Sequence, residues 1–109
     1  MKMYFLSTGF GHVAKGLFVQ GAGMKSVQFP ILSVLIERAN DLVLFDTGIG
    51  TRIEEEMRPP IYWGNLFFHR CVMRTRFDPE HDALVHQLSR LGFQPSDVKN
   101  VIISHLHWD

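Results

Sequence analysis

Four short apolar or β-branched runs and one amphipathic segment with helix-start chemistry predict an α/β (α+β) chain. The runs are Tyr4 to Thr8, Val27 to Glu37, Leu42 to Phe45 and Val101 to Ile103, and the helical segment opens at Asp78-Pro79, between the third and fourth runs. With 109 residues, 46% of them hydrophobic and 20% charged, the chain has the balance of a folded globular unit and the size of one domain at most.

Tyr4 to Thr8 reads as a first short strand. The segment with Gly9, Gly11, Gly16, Gly21 and Gly23 follows, and this density of glycine predicts irregular or hairpin-connecting backbone and excludes a helix. Val27 to Glu37 is rich in β-branched residues, and its Pro30 suits an edge or the start of a strand. Arg38-Ala39-Asn40-Asp41 supplies turn residues, so this strand and Leu42 to Phe45 are expected to pair as a hairpin. The continuous run Leu42-Val43-Leu44-Phe45 predicts burial on both faces, and Asp46-Thr47-Gly48 stops it.

Thr51 to Phe77 has no clean period and holds Pro59-Pro60 with five aromatic residues, the pattern of a functional loop, a lid or a partner surface. Asp78 followed by Pro79 predicts an N-cap with proline at the first helical position, and Leu84, Val85, Leu88 and Leu91 supply an apolar stripe. Gly92 is placed to end the helix in the left-handed conformation. Gln94-Pro95-Ser96-Asp97 reads as a turn, and Val101-Ile102-Ile103 as a buried strand that delivers Ser104-His105-Leu106-His107-Trp108-Asp109 at its C-terminal end.

Eleven basic and eleven acidic residues leave no net charge, so there is no field to gather nucleic acid or an anionic membrane. The longest apolar stretch, Phe29 to Ile36, is far short of the roughly 20 residues needed to span a bilayer, and the apolar run after Met1-Lys2 is too short for a signal-peptide core. A single cysteine, Cys71, excludes an intrachain disulfide and is expected to be a small buried hydrophobe. These features together predict a cytoplasmic protein with neither nucleic-acid nor membrane partners.

His105, His107 and Asp109 alternate with Leu106 and Trp108 just past an apolar strand, so an extended backbone directs the two imidazoles to one side. Two nitrogens and a carboxylate on a rigid strand end form a metal-ligand pattern suited to zinc. A bare pair of histidines would more simply be a solvated surface pair; the added carboxylate and the apolar strand favour the metal.

The segment Ile103-Ser104-His105-Leu106-His107-Trp108-Asp109 resembles the H-x-H-x-D-H metal motif of the metallo-β-lactamase superfamily. Leu42-Val43-Leu44-Phe45-Asp46-Thr47-Gly48 resembles the strand ending in D-T-G that precedes that motif in the family. Within the superfamily the layout is most similar to N-acyl homoserine lactonases, through Phe29 to Glu37 and Leu91-Gly92-Phe93-Gln94-Pro95-Ser96-Asp97. The resemblance implies an αβ/βα sandwich of which residues 1–109 form the N-terminal half, cut within the metal motif, whose final histidine would be the next residue. It implies two Zn2+ ions per full-length domain, with His105 and His107 on the first, Asp109 on the second, and Asp46 behind them orienting ligands. It further implies lactone ring opening by a zinc-bound hydroxide, as in quorum quenching, with Asp109 exchanging the proton. A small lactone or other ester-like molecule would be the substrate, Tyr62, Trp63, Phe67 and Phe68 would be candidate contacts, and a homodimer fits the family. By the same resemblance the 109 residues alone are expected to be inactive.

Other readings compete. The shared fold and metal site also serve thioesterases of the glyoxalase II type and phosphodiesterases, and a metal-binding or interaction fragment without catalysis is the non-enzyme reading. Asp46-Thr47-Gly48 resembles the aspartic-protease signature, which would make a homodimer sharing two carboxylates, but this leaves the histidines unexplained. Gly9-Phe10-Gly11-His12-Val13-Ala14 fits a dinucleotide fingerprint only superficially, since no helix can follow it. The aromatic loop reads equally as core or dimer packing, His81 and His86 as solvated, and His12 and His69 stay unassigned.

Overall fold

A computed structural model of the chain describes residues 1–39, 41–51, 71 and 74–105. Strands β1 (Lys2–Ala14), β2 (Ser26–Arg38), β3 (Asp41–Phe45) and β4 (Val98–Ile102) form one sheet in the order β1-β2-β3-β4. The first two pairings are antiparallel, and β3 with β4 is parallel. The helix α1 (Leu84–Arg90) lies between β3 and β4 in sequence, as a parallel return requires. The expected β2–β3 hairpin is present, with Arg38 opposite Asp41 and Ala39 in the left-handed region at φ 52°.

The first strand is much longer than the Tyr4 to Thr8 run and continues through the glycines. Its register to β2 shifts between Ser7 and Phe10, a bulge that accommodates one extra residue. Gly9 takes φ 139° there, and a Cβ would meet the Ile49 side chain and the Arg76 carbonyl at under 3 Å. Gly11 lies against the Phe29 ring, where a side chain would collide. Glycine here serves close packing within a strand, whereas Gly21 and Gly23, both at positive φ, serve the connection to β2.

Side chains alternate across the sheet, and one face is covered. Leu6, Leu35, Leu42, Leu44 and Leu88 form the core, with Tyr4, Leu84, Phe93 and Val98 packed against it. The Tyr4 and Phe93 rings meet edge to face at 6.1 Å. α1 begins later than Asp78-Pro79 predicts. Asp78 instead closes a separate turn: its carbonyl accepts the Asp82 N–H at 2.7 Å, and its carboxylate accepts the Glu80 N–H at 3.0 Å. Extended Ala83, 1% exposed, then breaks the run, its small side chain seated in the core. The Gln87 amide donates to the carbonyls of Asp82 and Ser7, each at 2.7 Å, and so ties helix to turn and to β1.

The predicted apolar stripe is narrower in practice: Leu84 and Leu88 pack inward, while Val85 and Leu91 are largely exposed. The helix ends as expected. Gly92 sits at φ 85°, and the N–H groups of Gly92 and Phe93 return to the carbonyls of Ser89 and Leu88, both at 3.0 Å. That closure points Phe93 into the core. The Gln94 to Asp97 turn is a short 3-10 helix, Pro95–Asp97, with the Asp97 carboxylate accepting the Gln94 N–H at 2.7 Å. Phe45 and Ile102 are more exposed than two-sided burial predicts, because they lie on the face that no described element covers; Val101, opposite Leu44 on the helix face, and Ile103, past the strand, are exposed as well. Cys71 is likewise exposed. No helix among the described residues is long and apolar enough to cross a membrane.

Candidate active site

Parallel β3 and β4 end side by side, with Phe45 opposite Ile102. Open sheets of this kind place ligands beyond the carboxyl ends of their parallel strands. The next residues here are Asp46 on one strand, and Ile103, Ser104 and His105 on the other.

Asp46 is fixed from three directions. Its N–H donates to the Ile102 carbonyl at 2.8 Å, which continues the β3–β4 ladder one step past the strands. Its backbone then turns into the left-handed region at φ 58°, which aspartate tolerates better than most residues. Two residues on, Gly48 also has positive φ, at 64°, and its Cα lies against the buried Thr8 side chain so closely that a Cβ would collide. Thr8 itself is anchored by donating to the Ile31 carbonyl at 3.2 Å, and Ile49 is buried beside Gly9. The β1 bulge and the Asp46-Thr47-Gly48 turn are therefore one packing unit, and it aims the Asp46 carboxylate at β4.

The carboxylate meets Ser104 with both oxygens. Oδ1 accepts the Ser104 backbone N–H at 2.7 Å and Oδ2 accepts its hydroxyl at 2.7 Å. These bonds hold the Asp46 carboxyl below the usual carboxylate range, the backbone N–H contributing most, then the hydroxyl, with the nearby His105 imidazole adding a smaller effect. The Ser104 hydroxyl oxygen is also 2.8 Å from His105 Nδ1. A chain Asp46–Ser104–His105 thus runs from the end of β3 to the imidazole past β4.

Of the predicted site residues, Asp46 and His105 are brought together here, and the link between them, Ser104, is a residue that the motif reading passed over. Its signal was available: a small hydroxyl residue directly before a ligand-type histidine, at a strand end facing an aspartate. His107, Asp109, Tyr62, Trp63, Phe67 and Phe68 lie outside the described residues. Among the described residues no group of three His, Cys, Asp or Glu side chains is placed to hold a metal. What the described part offers a metal is one exposed imidazole whose Nδ1 is already engaged, the arrangement usual for a ligand binding through Nε2. Two cavities lined by described residues, of about 350 and 320 Å3, lie elsewhere, the first at the opposite, N-terminal ends of β3 and β4, and the second beside His12 and Cys71. His81 and His86 are exposed, and His81 Nδ1 is 2.9 Å from the Asp78 carboxylate.

The family model described as the metallo-beta-lactamase superfamily matches residues 27–109. N-acyl homoserine lactonase AttM of Rhizobium radiobacter is 32% identical over 90 residues, which cover 83% of this chain and 32% of that protein. N-acyl homoserine lactonase AiiA of Bacillus thuringiensis subsp. kurstaki is 28% identical over 85 residues, 78% of this chain and 32% of that protein. The chain thus spans about a third of the length of the curated relatives it matches. Among solved structures, an N-acyl homoserine lactone hydrolase with the product N-hexanoyl-L-homoserine bound at its catalytic metal centre superposes with a TM-score of 0.71 at 25% identity, covering 99% of this chain and 42% of that one. A probable metal-dependent hydrolase from Staphylococcus aureus, at 16% identity and a TM-score of 0.69 over 99% of this chain and 38% of that one, shares the fold.

Proposed function

Because the chain belongs to the metallo-beta-lactamase superfamily, we propose that it is the N-terminal part of a zinc-dependent hydrolase whose substrate is an N-acyl homoserine lactone or a related small ester. The observation that carries this reading is the Asp46–Ser104–His105 chain at the ends of two adjacent parallel strands. It supports a ligand role for His105, since ligating imidazoles are oriented by a hydrogen bond on the nitrogen away from the metal. The likeness to lactonases over four-fifths of the chain supports the substrate class.

In this reading His105 and His107 would hold the first zinc and Asp109 the second. Zinc, when bound, lowers the pKa of water and polarises a carbonyl. Asp109 takes the proton from the attacking water and returns it to the leaving ring oxygen, the office of a carboxylate within reach of both. Asp46 stays ionised and holds Ser104, which steadies His105. Tyr62, Trp63, Phe67 and Phe68 are assigned to the acyl chain, and the setting is cytoplasmic.

Ring opening of N-hexanoyl homoserine lactone, followed by acid release in a pH-stat, tests the proposal on a protein carrying residues 1–109 within a chain of the relatives' length. Turnover is expected to disappear with a chelator, return with Zn2+, and fall by at least about 100-fold in His105→Ala, as losses of positioned catalytic groups do. Residues 1–109 alone are expected to show none. Undiminished turnover in chelator would sink the metal assignment, and turnover of thioesters or phosphodiesters in place of lactones would sink the substrate.

A further inference from the structure

The Ser104 hydroxyl has one proton and two close neighbours. On one side is Asp46, whose other oxygen already accepts the Ser104 backbone N–H, so the carboxylate is set as an acceptor by the same residue twice. A hydroxyl turned the other way would leave its lone pairs 2.7 Å from those of Oδ2, a repulsive contact. The proton therefore goes to Asp46, and toward His105 Nδ1, at 2.8 Å, the hydroxyl oxygen can only accept. The nitrogen facing it must be the donor. In a neutral imidazole that leaves the lone pair on Nε2.

We propose that Ser104 is a positioning residue that fixes His105 as the Nδ1–H tautomer, relaying the hydrogen-bond polarity of Asp46 so that Nε2 is the electron-pair donor at the strand ends. Its functional meaning rests on the reading of His105 as a zinc ligand; the tautomer itself needs no metal. The tautomer preferred by an imidazole in water is Nε2–H, the wrong one for a ligand binding through Nε2, so a residue that reverses this preference removes a cost from metal capture. An aspartate placed directly on His105 could do the same. Inserting Ser104 lets the group that sets the tautomer belong to the same strand end as the histidine, while the carboxylate stays on β3.

The test is the long-range 15N–1H correlation spectrum of the metal-free labelled chain at about pH 8, above the pKa of roughly 6.5 usual for imidazole. His105 Nδ1 is expected to resonate as a protonated nitrogen and Nε2 as a lone-pair nitrogen. Ser104→Ala should move the ring toward Nε2–H and weaken Zn2+ binding, titrated with the metal alone, by about 10-fold to 100-fold. Ser104→Thr, which keeps the hydroxyl, should restore both. Asp46→Asn provides a second check with Ser104 intact: an amide can donate to the hydroxyl, which would release the hydroxyl proton toward His105 and invert the tautomer. Dispersed amide spectra establish that each variant is folded. An Nε2–H ring in the unaltered chain, or an unchanged ring in Ser104→Ala, overturns the proposal. The expected tautomers, with no Zn2+ binding when residues 1–109 are carried within a chain of the relatives' length, would sustain the role of Ser104 and overturn the metal reading.

Discussion

The two faces of the sheet are built from the same strands and could hardly be treated more differently. On one, Leu6, Leu35, Leu42 and Leu44 meet Leu88 of α1, and Leu35 is fully buried. On the other, Phe5, Val34, Phe45 and Ile102 form a continuous apolar row across all four strands, by the register that places each opposite the next. Yet Phe5 is 68% exposed, Ile102 48% and Phe45 38%. Hydrophobic character alone does not make a core; a second layer does. Among the described residues the covered face is packed by one short helix and by Phe93 beyond it, and no described element covers the other.

The sharpest way to break this comparison is a matched pair of truncations. Leu35→Ala is expected to cost about 2 to 5 kcal/mol, as loss of a fully buried leucine side chain does. Phe5→Ala should change stability by no more than about 0.5 kcal/mol, as surface substitutions do. Urea unfolding of the two variants beside the unaltered chain measures both. Equal losses would mean that the open face is covered in solution, and the contrast between the faces would fall.

How far the sequence announced this arrangement depends on what each element rests upon. β2, β3, their hairpin and the glycine stop of α1 were legible because alternation, turn residues and a left-handed cap are local signals. The start of α1 was not, since Asp78 has every mark of an N-cap but spends its carboxylate on a self-contained turn, and the break at Ala83 depends on a tertiary seat. The passage of β1 through Gly9 and Gly11 was hidden for the same reason: those glycines fit Ile49 and Phe29, which are distant in sequence. At the site, Asp46 and His105 stood out by residue type. Ser104 did not, because its role appears only when β3 and β4 are placed side by side.

A second, smaller effect sharpens the comparison by testing what ties the covered sheet to the site. Gly48→Ala places a methyl group against Thr8 and forces an L side chain to φ 64°. The left-handed conformation alone costs a non-glycine residue about 1 kcal/mol or more, and the collision adds to it. We expect a loss of about 1 to 3 kcal/mol by urea unfolding, together with a change in the His105 ring resonances, because the displaced turn carries Asp46. A stability loss with unaltered His105 resonances would separate the turn from the site and leave Asp46 positioned by its bonds to β4 alone.

The smallest expected effect is the pH dependence carried by two half-buried carboxylates. Glu37 Oε2 accepts the Tyr4 hydroxyl at 2.8 Å, with the Lys2 ammonium 3.6 Å away, and the tyrosine bond is the main reason its carboxyl lies below the ordinary range. The same bond raises the Tyr4 phenol. Asp46 is lowered by Ser104 at the other end of the sheet. For carboxyls whose folded pKa is depressed, the unfolded chain binds protons first as pH falls. Their contribution is therefore complete above the unfolded values of roughly 4, and is lost as pH drops through the folded ones. Stability should be flat from about pH 5 to 8 on this account and decline toward pH 3. Glu37→Gln should flatten part of that decline, and Asp46→Asn a separate part, since the two sites share no partner. The Glu37 contribution acts on the edge of the covered face, whereas that of Asp46 acts at the strand ends. Thermal midpoints of the two single variants and the double variant at pH 7 and pH 3 decide the matter: additive flattening keeps the two carboxylates independent, and a shared loss would mean that acid opens the sheet as one unit.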